Sequence, residues 1–327
     1  MNFNPARILK CVGGQYLLAG QDGETGSASA RGLFRKDGQT PTPGDLVETD
    51  PSGDPDLPWR ITRILHRRNF LIRPTVANLD CLIITVSAAD PAPDFQLADK
   101  LLTVCLVHQI EPILCITKTD LPDNLADRVE QIYAKTGITI IRSNPDDQSS
   151  HARLREILRG RVVSFAGQSG VGKSTLLNQL FGDVRMATGE ISDRIGRGKH
   201  TTRHVELFPF LGGYLADTPG FTSLEMSELG VLGSDLVTGY PELARIEGQC
   251  RFVGCRHLGE LGCALNNDTI DPDRLSRYRH FREELDLIKP YNTVRKAPKK
   301  ITERRSQCTA AKRWWKFSRH ARMKGSR

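Results

Sequence analysis

The chain has 327 residues, 39% hydrophobic and 26% charged, which is ordinary for a folded protein and long enough for two or three domains. No apolar run approaches the roughly eighteen residues that span a bilayer, and the start, MNFNPARILK, lacks the apolar block of a secretory signal, so the expectation is a cytoplasmic protein without a membrane partner. The net charge of +8 is concentrated at one end: 289–327 holds fourteen Lys or Arg against Glu303 alone, a composition suited to phosphate polyanions.

Residues 1–70 alternate short apolar segments with turns. ARILKCVGGQYLLAG reads as two strands across a Gly-Gly turn, and GDLVETD and WRITRILHRR as further strands around the loop DPSGDPDLPW. Four or five short strands in this length suggest a small barrel, either of the oligonucleotide-binding kind or SH3-like.

From residue 71 to about 235 the period changes. DCLIITVSA is a continuous apolar strand, DFQLADKLLTVCLVHQ has helical spacing, and EPILCITKTD is a strand running into a loop. LADRVEQIYAKTG reads as a helix closed by glycine, followed by strand ITIIRS, helix SHARLREILRG and strand RVVSFAG. This alternation predicts a parallel sheet with helices on both faces. Cys81, Cys105 and Cys115 lie in its apolar runs as small buried hydrophobes.

Within this region, TKTD at 117–120 follows a strand. An Asp in that setting accepts hydrogen bonds from guanine N1–H and the 2-amino group, a donor pair that adenine lacks, so Asp120 would exclude ATP. Lys118 would pack along the base and brace the phosphate loop, with Thr117 and Thr119 completing the motif. Ser143, one strand later, is the expected further base contact, although Asn144 follows it where GTPases usually have Ala.

The stretch GQSGVGKST then places Gly167, Gln168, Ser169, Gly170, Val171, Gly172, Lys173, Ser174 and Thr175 between a strand and an amphipathic helix. Its glycines let backbone N–H groups close around phosphate oxygens, the helix N-terminus adds partial positive charge, Lys173 reaches the terminal phosphates and the Ser174 hydroxyl suits Mg²⁺. A polar, glycine-bearing segment at 196–208 reads as mobile, and its Thr201 or Thr202 can supply a second hydroxyl to Mg²⁺. DTPG at 217–220 adds Asp217, placed to hold Mg²⁺ through water, and the Gly220 N–H, placed to sense a γ-phosphate. Phe221 stands where many GTPases carry a water-orienting Gln, so intrinsic turnover should be slow until a partner orders the site; His200 and His204 are candidates for orienting water.

These parts occur in rotated order, with the base motif ahead of the phosphate loop. Loops at the carboxyl ends of parallel strands meet in space whatever their chain order, and the rotation leads DTPG straight into the C-terminal segment. That connection suggests that nucleotide state repositions the C-terminal domain. An ATPase or small-molecule kinase on the same loop is the competing reading, against which TKTD argues.

Residues 236–290 look helical with a loop-rich insert at 248–268. There Cys250, Cys255, His257 and Cys263, spaced C-x₄-C-x-H-x₅-C, form a closed tetrahedral set for one structural Zn²⁺. Buried thiols or a disulfide are the alternatives, and the polar, glycine-rich surroundings disfavour the first. Residues 291–327 form the basic tail, with Trp314-Trp315 its aromatic pair.

RPTVANLD at 73–80, TKTD, GQSGVGKST, KHTTRHVEL, DTPGF and CRHLGELGCAL together resemble the ribosome small-subunit-dependent GTPase A family, circularly permuted GTPases of ribosome biogenesis. The resemblance covers nearly the whole chain. It implies a multidomain fold: an oligonucleotide-binding (OB-like) β-barrel at 1–70, a central α/β GTPase domain at 71–235 and a helical zinc-binding domain at 236–290. It also implies a monomer that uses GTP/GDP and Mg²⁺, contacts the 30S subunit and its 16S rRNA through barrel and zinc domain, and hydrolyses GTP when the subunit stimulates it. Thr117 stands where many members have Asn.

Overall fold

The computed structural model describes residues 3–32, 34, 39–122, 124–181, 205–217, 225–266 and 268–287. Thr201, Thr202, Gly220, Phe221, His200, His204 and the basic tail lie outside them.

Five strands form the N-terminal barrel: β1 (Ala6–Val12), β2 (Gln15–Ala19), β3 (Thr25–Ala30), β4 (Leu46–Pro51) and β5 (Trp59–Ile64). β1 pairs with both β2 and β4, β2 with β3, β3 in parallel with β5, and β5 with β4, so the sheet closes on itself. Five strands closed in the order 1-2-3-5-4 select the oligonucleotide-binding type over the SH3-like one. Its core gathers Phe3, Ile8, Tyr16, Leu18, Val47 and Ile61. β3, TGSASA, carries no large apolar side chain, and only the pairing of its backbone makes it a strand. A short hairpin, β6 (Phe70–Ile72) with β7 (Thr75–Ala77), then leads into the second domain.

The central sheet contains β8 (Cys81–Ser87), β9 (Glu111–Thr117), β10 (Thr139–Arg142), β11 (Val162–Ala166), β12 (Glu206–Phe210) and β13 (Gly213–Asp217). Its order is β10-β9-β8-β11-β13-β12; the first five run parallel and β12 is an antiparallel edge. β8 is buried throughout. Its alternate residues divide between two cores, Leu82, Ile84 and Val86 on one face and Cys81 and Ile83 on the other, as the two-residue period of a strand requires. Helices α1 (Phe95–Val107) and α2 (Ala126–Tyr133) cover the first face, α3 (Gln148–Leu158) and α4 (Lys173–Phe181) the second. Asp94 caps α1 by accepting the Leu97 amide, and Gly137, at φ 80°, ends the short 3-10 turn after α2. Cys81, Cys105 and Cys115 are fully buried, and burial pushes all three thiols up, Cys115 to about 12.

The expected mobile segment 196–208 ends differently. Glu206, Leu207 and Phe208 belong to β12, which the tertiary fold places between β13 and the barrel. There Lys10 of β1 pairs with Glu206, and their side chains form an ion pair at 2.8 Å. The barrel thus continues the central sheet at the edge strand that follows 182–204.

A 3-10 segment, Gly233–Gly239, crosses the expected boundary at 235 and packs against α1; α5 (Pro241–Ala244) and α6 (Pro272–Leu287) follow. At this junction Arg274 of α6 is completely buried. It pairs with Asp99 of α1 and with Glu242 at 2.8 Å, donates to the Gly239 carbonyl at 3.2 Å, and lies over the rings of Tyr133 and Tyr240. Burial opposes its charge, but Asp99 and Glu242 outweigh burial and hold the guanidinium above its ordinary range. Arg277 reaches the same Asp99 at 2.5 Å. Nearer the base motif, Arg128 pairs with Asp271 at 3.0 Å, and Arg245 donates to the Lys135 carbonyl at 2.6 Å. The C-terminal segment is therefore bound to both helices of one face of the central domain. Among the described residues no helix is long and apolar enough to cross a membrane.

Candidate functional site

The carboxyl ends of β8, β9, β10, β11 and β13 lie on one edge of the sheet because their pairings are all parallel. That arrangement brings TKTD at the end of β9, Ser143 after β10, the loop 167–172 after β11 and Asp217 at the end of β13 to a common edge.

The phosphate loop is held from below. Gly167 adopts φ 149°, and a Cβ there would lie 2.2 Å from the Thr85 carbonyl oxygen of β8, so only glycine fits. Gly170 and Gly172 are left-handed, at φ 80° and 92°. Gln168 is partly buried, Val171 is buried, and Ser169 and Thr175 are exposed. Lys173 and Ser174 open α4, and Leu176, its fourth residue, donates its amide back to the Gly172 carbonyl at 2.9 Å. The Lys173 ammonium donates to the carbonyls of Gly167 at 2.8 Å and Gln168 at 2.6 Å, and burial pulls its pKa below the ordinary value.

The two sequence-distant motifs meet through one hydrogen bond. The Thr117 hydroxyl donates to the Val171 carbonyl at 2.5 Å, so the first residue of TKTD grips the backbone of the phosphate loop. This places Asp120, exposed at the mouth, three residues from the grip and Lys173 two residues from it. Lys118 takes φ 57° and its ammonium donates to the Asp90 carbonyl. The bracing expected of Lys118 thus falls directly to Thr117, while Lys118 anchors the loop after β8, whose Pro91 packs near Gly170. Thr119 donates through its hydroxyl to the Ser143 carbonyl at 3.4 Å. Ser143 itself is buried, and its hydroxyl meets His151 Nε2 at 3.3 Å. Thr85, Asp90 and His151 were not legible as site residues, because their parts depend on which backbone passes beside them.

The Ser174 hydroxyl at the start of α4 and the Asp217 carboxylate at the end of β13 are hard oxygens, the donor type that suits Mg²⁺. The cysteine–histidine set also comes together. The ligand atoms of Cys250, Cys255, His257 and Cys263 all lie within 4.8 Å of one another. His257 Nδ1 is 3.7 Å from Cys250 Sγ, 3.8 Å from Cys255 Sγ and 3.3 Å from Cys263 Sγ, close to the roughly 3.7 Å edge of a zinc tetrahedron. The amides of Ala264 and Leu265 donate to Cys250 and Cys263 sulfur at 3.3 and 3.5 Å and hold the two sulfurs in place. Glu260 receives the amides of Arg256 and Leu258 at 2.9 and 2.8 Å. Although burial opposes ionisation, its own amide and these two hold its carboxyl down at about 2.

Residues 64–227 match the RsgA GTPase family and residues 6–55 its N-terminal domain. The chain is 41% identical to the small ribosomal subunit biogenesis GTPase RsgA of Ruminiclostridium cellulolyticum, over 87% of this chain and 94% of that one. It is 36% identical to the protein of the same name from Bacillus pumilus, over 86% and 97%. Among solved structures it resembles YjeQ from Thermotoga maritima, with a TM-score of 0.72 at 28% identity over 87% of this chain and 99% of that one. It also resembles YloQ, a circularly permuted GTPase, with a TM-score of 0.70 at 30% identity over 87% and 96%.

Proposed function

This chain belongs to the RsgA GTPase family, and from that premise we propose that it hydrolyses GTP to GDP and phosphate while bound to the small ribosomal subunit, whose late maturation it assists. The observation that supports this reading best is the hydrogen bond from Thr117 to Val171, which ties the base motif to the phosphate loop.

Asp120 accepts from guanine N1–H and the 2-amino group. The amides of 168–174 wrap the phosphates, and Lys173 exchanges two backbone carbonyls for phosphate oxygens. Ser174, Asp217 and either Thr201 or Thr202 would hold Mg²⁺, which when bound neutralises charge on the β- and γ-phosphates. The Gly220 amide reads the γ-phosphate. With Phe221 beside it the chain lacks its own water-orienting amide, so the subunit supplies the ordering that raises turnover. Cys250, Cys255, His257 and Cys263 hold a structural Zn²⁺ that keeps the loops 248–265 in shape. The barrel and zinc domain contact 16S rRNA, the basic tail adds phosphate contacts, and the protein acts as a cytoplasmic monomer.

GTPase turnover with and without purified 30S subunits, at two salt concentrations, tests this. Stimulation by the subunit that weakens with salt is expected; equal turnover alone and with subunits overturns the account of Phe221. ADP displacing a fluorescent GDP analogue as well as GDP does would overturn guanine recognition. Ser174→Ala should retain subunit binding while hydrolysis is lost.

A further inference from the structure

We infer that His151 is a positioning residue for guanine recognition, acting through Ser143 on the TKTD loop. This inference rests on the guanine-binding reading above and adds a group outside the recognised motifs.

His151 lies in the first turn of α3, fully enclosed, on the side of the sheet away from α1 and α2. Its Nε2 meets the Ser143 hydroxyl at 3.3 Å. Ser143 is pinned on two further sides: its amide donates to the Ile116 carbonyl at 2.8 Å, and its own carbonyl accepts the Thr119 hydroxyl at 3.4 Å. Thr119 is also held through its carbonyl by the Asn124 side chain at 3.3 Å. The chain of contacts therefore runs from a buried imidazole, through one serine, to the residue immediately before Asp120.

A polar ring in this position calls for a reason. Among the described residues its buried Nδ1 has no partner of good hydrogen-bond geometry, the Asn144 backbone being its nearest polar influence. A leucine would fill the same space without that penalty. Burial and the nearby Arg155 guanidinium push the imidazole below its ordinary pKa, so it is neutral, and one ring nitrogen pairs with Ser143 at no cost in buried charge. The remaining bonds in the loop, Asn144 Oδ1 accepting from the Asp146 amide at 3.0 Å and Asp147 capping α3, fix the segment after Ser143 but not Ser143 itself. Among the described residues, His151 supplies the one side-chain contact of the Ser143 hydroxyl. Without it, Ser143 can turn, and its carbonyl can shift relative to Thr119.

The test compares His151→Leu, His151→Gln and His151→Asn by displacement of a fluorescent GDP analogue with GDP and with IDP, which lacks the 2-amino group read by Asp120. Glutamine places a polar atom as many bonds from Cβ as Nε2, whereas asparagine reaches only as far as Nδ1. His151→Leu should weaken GDP about five- to tenfold and shrink the GDP-over-IDP preference by a similar factor, the loss of about one hydrogen bond. His151→Gln should restore both, and His151→Asn should not. At saturating GTP, subunit-stimulated kcat should stay within about twofold of wild type while KM rises. Melting temperature of the leucine variant should hold or rise. A leucine variant with unchanged GDP affinity, or one that loses GDP and IDP equally while its melting temperature falls, overturns the inference. Failure of the underlying reading looks different: wild-type protein itself would then bind ADP as tightly as GDP.

Discussion

Replacing Arg274 with methionine removes the charge at the centre of the interdomain junction while keeping most of the volume between Tyr133 and Tyr240. Asp99 keeps Arg277 at 2.5 Å, but Glu242 loses the guanidinium that meets its Oε1 at 2.8 Å, and its Oε2 has no other partner among the described residues. Breaking a buried ion pair from one side costs about 3–5 kcal/mol, and the retained Arg277 argues for the lower end. Opening of the junction should then become about 3 kcal/mol easier, which speeds amide exchange in α6 by more than about a hundredfold. Hydrogen exchange read by mass spectrometry, peptide by peptide, measures this directly, and β1–β3 of the barrel serve as an internal control. Removing the stranded carboxylate as well, in Arg274→Met/Glu242→Met, should recover most of the protection, because an apolar replacement of the whole pair is close to neutral. Acceleration of less than about tenfold, or a double variant no better than the single one, would refute the view that this pair joins the two domains.

The zinc set predicts one equivalent of zinc in purified protein by elemental analysis, and substoichiometric zinc in Cys255→Ser. Without metal, burial and the neighbouring thiols push the Cys255 thiol up to about 12, so metal must displace protons and zinc affinity should fall at least about tenfold for each unit of acidification; a pH-independent affinity would count against thiolate ligation. Gly167→Ala forces a Cβ to 2.2 Å from the Thr85 carbonyl and should weaken GDP by more than about a hundredfold, whereas Gly53→Ala, in an open left-handed turn of the barrel, should leave GDP binding unchanged in the same titration. Thr117→Val keeps the shape but removes the donor to Val171, and about fivefold weaker GDP binding is expected; unchanged affinity would deny the link between the two motifs.

Much was legible in the sequence because it rests on local chemistry. The alternation of DCLIITVSA and ITIIRS with helical runs specified a parallel sheet, GQSGVGKST specified a glycine turn before a helix, and the C-x₄-C-x-H-x₅-C spacing specified four ligands on one short loop. These signals lie within a few residues of one another, where backbone geometry leaves few choices. Strand β3 escaped, since TGSASA has no apolar period and becomes a strand only when β2 and β5 pair with it. The edge strand β12, ELFPF, is mostly apolar, but its first residues fall at the end of the polar segment 196–208. Long-range contacts decided the rest. Thr117 meets Val171 across fifty-four positions, and Arg274 meets Asp99 across one hundred and seventy-five. A side chain carries no mark of a partner so distant; the parallel sheet and the docked helix α6 bring the pairs together, and only then does burial make each bond matter.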